Sequence, residues 1–406
     1  DLFGNFMLTA SRFEATTQFG TEDVVLLESN RLTDLSFKGD VSYFVNEAHT
    51  IEVGLLTKRM SMEYDFGESG RSWFNIDVEG FHNAAYLQDN WAASPRLTLQ
   101  PGLRLNRFSN GGYSGLAPRL AARYRIGPDT YLKGAVGQYH QYLFRLSREF
   151  QSIALLSNVW ALADSTAGPS RSRHLIGGIE TTWKRIDIDA EAYYKHYDAL
   201  YEVNYDEQES TQIGDILRRG NGEAYGFDVL LKKRSGRHTG WLSVTTGLSR
   251  REVDGLNLND RGQEQSYNSK FHRDLILNLV HSWHFARRWR LNTRGTYGSG
   301  QPYTQILGQG EMELPSGERQ YFQERGPLND VRLPSYQRLD LAIQWKREFS
   351  SWSLKAYVQV INLLGHENIF NYYYSDGSVE ERRPGRRKSI SMLPGPLPSF
   401  GFDFEF

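Results

Sequence analysis

The chain ends in the stretch Pro398–Phe406, PSFGFDFEF, in which a phenylalanine occupies every second position up to the last residue. Successive side chains of a β-strand point to opposite faces, so this spacing places four aromatic rings on one face. Glycine and acidic residues alternate with the rings and occupy the other face. The stretch therefore predicts a strand with one strongly apolar face.

The same alternation recurs along most of the chain. Examples are IDIDAEAYYK at residues 186–195, LTLQPGLRLN at 97–106 and RLDLAIQWK at 338–346. A strand of a soluble sandwich turns its polar face to bulk water, where Lys and Glu dominate. Here the polar face mixes Arg, Asp, Gln, Asn, Tyr and Gly, and aromatic residues lie near strand ends. This combination favours a membrane β-barrel with a hydrated interior over a soluble β protein.

The composition agrees with this interpretation and excludes other classes. The 406 residues include 47 basic and 48 acidic ones, so no net charge points to a nucleic-acid partner. The lack of cysteine excludes disulfides and thiolate metal sites. A mean hydropathy of -0.56 and the absence of long apolar runs exclude transmembrane helices. Mean hydropathy and long apolar runs do not detect the strands of a membrane barrel, because only one face of such a strand is apolar.

The connections between the alternating segments also follow a pattern. Short joints such as IGPDT and REFSS alternate with long polar or glycine-rich stretches. This predicts an all-β, up-and-down antiparallel barrel of about 16 strands, with tight turns at one rim and long loops at the other. The last strand descends from a long loop, which places the C-terminus at the short-turn, periplasmic rim. The long stretches are residues 60–73, 107–116, 142–170, 201–221, 250–270, 300–334 and 365–396.

Several segments resemble a known family. YLQDNW at residues 86–91, followed by LTLQPGLRLN, is similar to the strand–turn–strand signature of TonB-dependent outer-membrane receptors. The segments GLAPRLAARYRI, IDAEAYYKHYDAL, GEAYGFDVLL and SYQRLDLAIQW follow in the family's order. VQVINLLGHENIFNYYY and the terminal LPSFGFDFEF resemble its penultimate strand, last loop and final strand. The ordered set, rather than any one motif, carries the resemblance.

The resemblance implies a transporter in the bacterial outer membrane that binds a scarce nutrient at extracellular loops and imports it to the periplasm. It implies no enzyme activity and no cofactor. Family members have a plug inside a barrel of about 22 strands, and a short box that engages TonB. Residues 1–406 contain neither the plug nor the box, so we expect them to form the C-terminal part of the barrel. TonB would then act through the missing N-terminal part.

Two alternatives remain open. One is a passive porin of about 16 strands, which a regular ladder between residues 5–16 and 399–406 would support. The other is a barrel that anchors a surface complex, with a surface lipoprotein as partner. The sequence preceding Asp1 would separate a receptor, which has a plug and a TonB box there, from a porin. Nothing in the chain identifies the ligand, because binding loops of barrels vary freely.

The terminal aromatic row is the first set of candidate functional residues. Such a row resembles the signal that the outer-membrane assembly machinery reads by strand addition. The simpler interpretation is that the rings only face lipid. The residues are Phe400, Phe402, Phe404 and Phe406.

A basic segment in the last long stretch is the second candidate. EERRPGRRK, at residues 380–388, holds five basic residues within seven positions and follows three tyrosines. It predicts a patch for an anionic ligand or for lipopolysaccharide phosphates, whereas the simpler interpretation is a solvated loop. The patch consists of Tyr372, Tyr373, Tyr374, Arg382, Arg383, Arg386 and Arg387.

The remaining motifs are weaker. The stretch 142–170 is the most apolar of the long ones and has room for a short helix, so a lid, a partner contact or packing on neighbouring loops would each suit it. His281 and His284 are three residues apart, which on a strand places them on opposite faces and argues against a metal pair. DGLNLND at residues 254–260 lacks the rest of a calcium loop. We therefore expect no metal site.

Overall fold

The computed structural model describes residues 1–20, 25–68, 71–146, 159–203, 212–259, 261–313, 319–374, 387–393 and 395–406. Regular structure in these residues is almost entirely β-strand, and the helical exception among them is a 3₁₀ turn at Asn110–Gly112. None of the helical residues in this part of the chain forms a segment that could span a bilayer.

The strands, in chain order, are β1 (Leu2–Gly20), β2 (Val25–Phe44), β3 (His49–Glu68), β4 (Arg71–Ser94), β5 (Leu97–Phe108), β6 (Tyr113–Arg125), β7 (Thr130–Gln141), β8 (Leu143–Leu146), β9 (Val159–Leu162), β10 (Ser170–Trp183), β11 (Ile186–Val203), β12 (Leu217–Lys233), β13 (His238–Val253), β14 (Tyr267–Asn268), β15 (Leu275–Ala286), β16 (Trp289–Gly298), β17 (Pro302–Tyr303), β18 (Ile306–Glu313), β19 (Arg319–Arg325), β20 (Val331–Arg332), β21 (Tyr336–Glu348), β22 (Ser353–Ile361), β23 (Asn368–Tyr374), β24 (Arg387–Met392) and β25 (Leu397–Glu405).

Seventeen of the described strands belong to one antiparallel sheet. One of them, β14, has only two residues, so sixteen substantial strands remain, as predicted. Seven of the connections between strands that follow one another in the sheet are tight turns of two to four residues, and two of these turns overlap the predicted joints IGPDT and REFSS. The turns are residues 45–48, 95–96, 126–129, 184–185, 234–237, 287–288 and 349–352.

Two of the predicted long stretches are wrong. Residues 60–73 lie mostly in strands, because β3 continues to Glu68 and β4 begins at Arg71. In the stretch 107–116, strand β5 runs to Phe108 and β6 begins at Tyr113, with a short turn between them. Both segments alternate, but their apolar residues change from one face to the other, and this exchange is why the prediction of long loops fails here.

The chain divides into two compact units, and the division falls within strands β10 to β13. Strands β1 to β7 lie wholly in unit 1. Strands β15, β16, β21, β22 and β25 lie in unit 2. Unit 1 comprises Asp1–Gly177, Tyr193–Ala224 and Arg250–Ser266, and unit 2 comprises Gly178–Ala192, Tyr225–Ser249 and Tyr267–Phe406.

Unit 2 carries a row of exposed apolar side chains on one face of its sheet. Leu291 pairs with Ile343, Ile343 with Val358, and Val358 with Phe400 across four neighbouring strands. Ile343, Val358 and Phe400 are 48%, 62% and 77% exposed. Soluble proteins rarely expose a contiguous apolar surface of this kind. We assign this row to the lipid-facing surface.

The opposite face of unit 2 is polar and closely packed. Lys355 and Asp403, which are partners across β22 and β25, form an ion pair. Asp340 is 7% exposed and accepts hydrogen bonds from Arg338 at 2.8 Å and from the backbone N–H of Asn362 at 2.9 Å. Asp340 and Lys355 therefore lie on the interior face.

The sheet of unit 1 reverses its polarity along the strands. Near the tight turn before β3, Leu55 points outward and is 60% exposed, as expected for a lipid-facing strand. Farther along β3, Met60 and Met62 on the inner face are 4% and 0% exposed, while Arg59 and Glu63 lie on the outer face. The apolar residues thus move from the outer to the inner face. This reversal marks the level at which the outer face leaves lipid and enters water.

Strand β2 shows the height of the lipid-facing band. Its outward positions are apolar or glycine from Tyr43 to Leu35, a run of nine residues, and become polar at Thr33 and Arg31. A transmembrane barrel strand needs about 9–11 residues. The band therefore spans one bilayer, and the rest of β2 projects beyond it on the side away from the tight turns.

A substitution in unit 2 tests the assignment of faces. Ile343→Arg places a charge on the lipid face and should lower the free energy of unfolding in lipid vesicles by about 2–4 kcal/mol, whereas Gln344→Arg on the interior face should cost little. Urea titrations of folding into vesicles measure both values. Equal losses for the two variants would refute the assignment.

A second pair of substitutions tests the reversal of polarity in unit 1. Met62→Ala opens a cavity in a buried apolar cluster and should destabilise the protein by about 2–5 kcal/mol. Ser61→Ala, one residue away on the outer face, should change stability by no more than about 0.5 kcal/mol. Unfolding of the two variants in detergent compares them directly. A larger cost for Ser61→Ala would contradict the reversal.

Candidate functional site

A cavity of about 430 Å³ lies in unit 1, at the ends of β6, β7, β10, β11 and β12 that are far from the tight turns. Its walls combine phenol rings, guanidinium groups and an imidazole, with glycine, alanine and proline residues between them. The side chains that provide these groups are Tyr113, Tyr142, Tyr201, Arg171, Arg219 and His140. Such a set offers hydrogen-bond donors, positive charge and flat apolar surfaces to a ligand.

Tyr142 lines this cavity and packs against two other rings. It is 4% exposed, and its ring centre lies 5.0 Å from that of Phe108 and 4.5 Å from that of His82. Burial raises the pKa of the Tyr142 hydroxyl, and the positive charge of Arg104 opposes part of that rise. The hydroxyl therefore stays protonated at neutral pH and can donate a hydrogen bond to a ligand.

Two glycines let the aromatic walls approach the backbone. A Cβ atom at Gly115 would lie 2.9 Å from the His140 ring, and one at Gly168 would lie 3.1 Å from the Tyr113 ring. Any larger residue would push these rings out of place. The position of the His140 ring therefore depends on Gly115, and the position of the Tyr113 ring depends on Gly168.

The turn at Asp164 shapes one side of the cavity. Its Oδ1 atom accepts hydrogen bonds from the backbone N–H groups of Thr166 and Ala167 at 2.7 and 2.8 Å. The Thr166 hydroxyl in turn accepts the backbone N–H of Gly214 at 2.9 Å. This chain of bonds fixes two segments that both line the cavity.

The hairpin of β8 and β9 packs against the inner wall of β2 and β3. Ala161 and Leu162 are fully buried in one apolar cluster with Met62. Asn30, which is 2% exposed, accepts the backbone N–H of Trp160 at 2.8 Å and donates to the carbonyls of Trp160 and Glu63 at 3.2 and 3.3 Å. Asn30 thus attaches the hairpin to the wall.

This hairpin settles part of the prediction for the stretch 142–170. Its described residues, 142–146 and 159–170, form two paired strands and a turn rather than a short helix. They pack on the long strands of the wall, not only on neighbouring loops. Tyr142 precedes the hairpin and Asp164 follows it, so the hairpin positions both ends of the cavity lining.

The predicted basic patch lies in unit 2 and is described in part. The Arg387 guanidinium lies 4.6 Å from the ring centre of Tyr372, whose ring centre is 5.6 Å from that of Tyr303. Tyr373 and Tyr374 lie in β23, opposite β24. The other predicted members, Arg382, Arg383 and Arg386, lie outside the described residues. The ligand role of this patch stays a prediction.

The terminal aromatic row lies on the exposed face of β25. Phe400, Phe402, Phe404 and Phe406 are 77%, 61%, 58% and 95% exposed. The Trp352 ring stacks near that of Phe404, with 6.1 Å between ring centres. The row therefore faces lipid, while its role in assembly stays a prediction.

The two histidines of HSWH lie on opposite faces of β15. His284 accepts a hydrogen bond from Arg290 at 2.8 Å, whereas a ring nitrogen of His281 lies 3.1 Å from one of His238. Across the described ranges, no three His, Asp or Glu side chains come close enough together to hold a metal ion.

Comparison with known proteins identifies the architecture. The family model described as TonB dependent receptor-like, beta-barrel, matches residues 3–363. No curated protein sequence matches this chain significantly. Among solved structures, the pyoverdine outer membrane receptor FpvA from Pseudomonas aeruginosa, bound to pyoverdine, is 13% identical, and the match covers 100% of this chain and 59% of that one with a TM-score of 0.64.

Two further structures match in the same way. The ferric citrate transporter FecA is 13% identical, with 99% of this chain and 59% of that chain covered and a TM-score of 0.63. The siderophore receptor PirA from Acinetobacter baumannii is 12% identical, with 98% and 62% covered and a TM-score of 0.55. At these identities the matches show the fold.

The chain spans about three fifths of the length of these three receptors. The family model, however, covers most residues of this chain, from its first strand to the end of the penultimate strand of the sheet. Its members are transport receptors of the bacterial outer membrane and not enzymes. This chain belongs to the family of TonB-dependent receptor-like β-barrels.

Proposed function

We propose that this chain is part of a transporter that captures a ferric chelate at the long-loop side of the outer membrane and imports it into the periplasm. The observation that carries the proposal is the cavity of about 430 Å³ lined by three tyrosines, two arginines and a histidine. It lies beyond the lipid-facing band, where a ligand arriving from outside meets the protein first.

The chemistry of the cavity suits an anionic, partly aromatic ligand. Guanidinium groups such as those of Arg171 and Arg219 pair well with carboxylates and phenolates. The rings of Tyr113 and Tyr201 offer flat surfaces for stacking. The structures similar in fold include receptors for pyoverdine and ferric citrate, which are ligands of this general kind.

The remaining parts of the transporter belong to the proposal as well. In it, residues 1–406 supply the C-terminal part of a barrel of about 22 strands, and the plug and TonB box lie on a part of the protein outside this chain. The C-terminus lies at the periplasmic rim, where the outer-membrane assembly machinery reads Phe406 and its row. The long loops also offer a surface for a lipoprotein partner and for lipopolysaccharide.

Binding measurements test the cavity as the ligand site. Arg219→Ala and Tyr142→Phe, made in the full-length receptor, should each weaken binding of ferric pyoverdine or ferric citrate by about tenfold, because each removes one hydrogen-bond donor to a charged ligand. Binding of the iron-labelled chelates to outer membranes measures the effect.

Arg387→Ala is the matched control for this experiment, since it removes an arginine from the predicted patch around Tyr372. It should leave affinity unchanged. Loss of binding in Arg387→Ala, with normal binding in both cavity variants, would move the ligand site to the last long stretch.

Substitution of Asn30 tests whether the hairpin positions the cavity. Asn30→Ala removes both side-chain bonds to Trp160 and should weaken chelate binding while exposing the hairpin to added protease. Asn75→Ala is a matched control, because Asn75 is exposed and its side-chain amide donates to Asp65, at 3.0 Å. Unchanged affinity and unchanged proteolysis in Asn30→Ala would show that the hairpin does not depend on this residue.

A further inference from the structure

The upper edge of the lipid-facing band in unit 1 has an unusual outward row. Phe37 pairs with Thr57, Thr57 with Asn83, and Asn83 with Arg107 across β2, β3, β4 and β5. Paired residues of neighbouring antiparallel strands share a face. The row therefore passes from an apolar ring to a guanidinium group at one level of the sheet, immediately below the level at which the outer face becomes polar.

A groove of about 390 Å³ lies on the outer surface at this row. Its cause is the neighbouring row, in which Ala85 pairs with Leu55 on one side and Leu105 on the other. The short side chain of Ala85 leaves a gap between two leucines that are 60% and 55% exposed. Phe37 lies at one end of the groove and Arg107 at the other. The walls are apolar and suit a hydrocarbon chain.

Arg107 differs from the arginines above it because they pair with carboxylates. Arg59 donates to both carboxylate oxygens of Glu79, at 2.6 and 3.1 Å, and Arg31 pairs with Glu63 at 2.6 Å. No carboxylate of the described ranges lies within ion-pair distance of Arg107. At the boundary of a bilayer an arginine is stabilised by an anion, and lipid phosphates lie at that level.

Asn83 adds a second polar group beside Arg107. Its Oδ1 atom accepts the Thr57 hydroxyl at 2.7 Å, which leaves the N–H bonds of the amide for another partner. A guanidinium and an amide side by side suit the oxygens of a phosphate. The phosphate oxygens of a lipid headgroup can accept hydrogen bonds from Arg107 and Asn83, while an acyl chain of the same lipid fits the apolar walls of the groove.

We propose that this groove is a binding site for a phosphate-bearing lipid of the leaflet on the long-loop side, with one acyl chain beside Ala85 and the phosphate on Arg107 and Asn83. The site is separate from the chelate cavity, since it lies on the outer face of β2 to β5, whereas the cavity lies at the ends of β6, β7 and β10 to β12. In this site the lipid lies on the outer face of β2 to β5, just below the level at which that face becomes polar.

Native mass spectrometry of the full-length receptor tests this site. The probes are a diphosphorylated glycolipid such as lipid A, a diacylglycerol, which has acyl chains but no phosphate, and inorganic phosphate. Wild-type protein should retain lipid A in preference to diacylglycerol and should not retain inorganic phosphate. Equal retention of the two lipids would overturn recognition of the phosphate.

Variants locate the site. Arg107→Gln and Ala85→Leu should each reduce lipid A retention by about tenfold, the first by removing the charge and the second by filling the groove. Arg107→Lys should keep most of it, which shows that loss in Arg107→Gln is not misfolding. Arg59→Gln is the matched control on the same face and should bind as wild type. Wild-type retention in both Arg107→Gln and Ala85→Leu, or equal loss in Arg59→Gln, would overturn the proposal.

Discussion

The hydrogen bonding of the backbone in lipid is the constraint on which the rest of the structure depends. An unpaired N–H or C=O group costs several kcal/mol in a hydrocarbon environment, so the chain crosses the membrane only as paired strands. Once pairing is imposed, each side chain has only two directions, and the medium on each side selects its polarity. The row of Leu291, Ile343, Val358 and Phe400 in unit 2 is one result.

The same constraint explains how a binding cavity arises at one end of the strands. Beyond Leu35 and Leu55 the outer face meets water, so apolar side chains such as Met62 turn inward. An apolar inner wall needs a covering, and the β8–β9 hairpin provides it. Because Asn30 and Asp164 fix the hairpin and the turn after it, the polarity reversal ultimately positions Tyr142 and the cavity beside it.

Local patterns were sufficient for much of the fold. The tight turns and the faces of Ile343 and Asp340 follow from alternation and turn residues, which act over a few positions. The prediction of a loop at residues 60–73 fails because the alternation continues while its faces exchange, and the polar residues on the outer face resemble those of a loop. The cavity could not be predicted from the sequence, because its lining residues Tyr113, Tyr142 and Tyr201 come from separate stretches that only the folded hairpin brings together. Their one sequence signal was that each lies in a stretch predicted to be long.

The level at which the outer face of β2 leaves the lipid is the feature on which the other structural assignments depend most directly. The chain contains no cysteine, so single cysteines at Phe37, Leu35, Thr33 and Ser29 can each carry a spin label in vesicles without a background. Collision rates with oxygen and with a water-soluble nickel complex then report the depth of each label. We expect collisions with oxygen to dominate at Phe37 and Leu35 and collisions with the nickel complex to dominate at Thr33 and Ser29. Labels at Thr33 and Ser29 that remain in lipid would contradict the reversal of polarity.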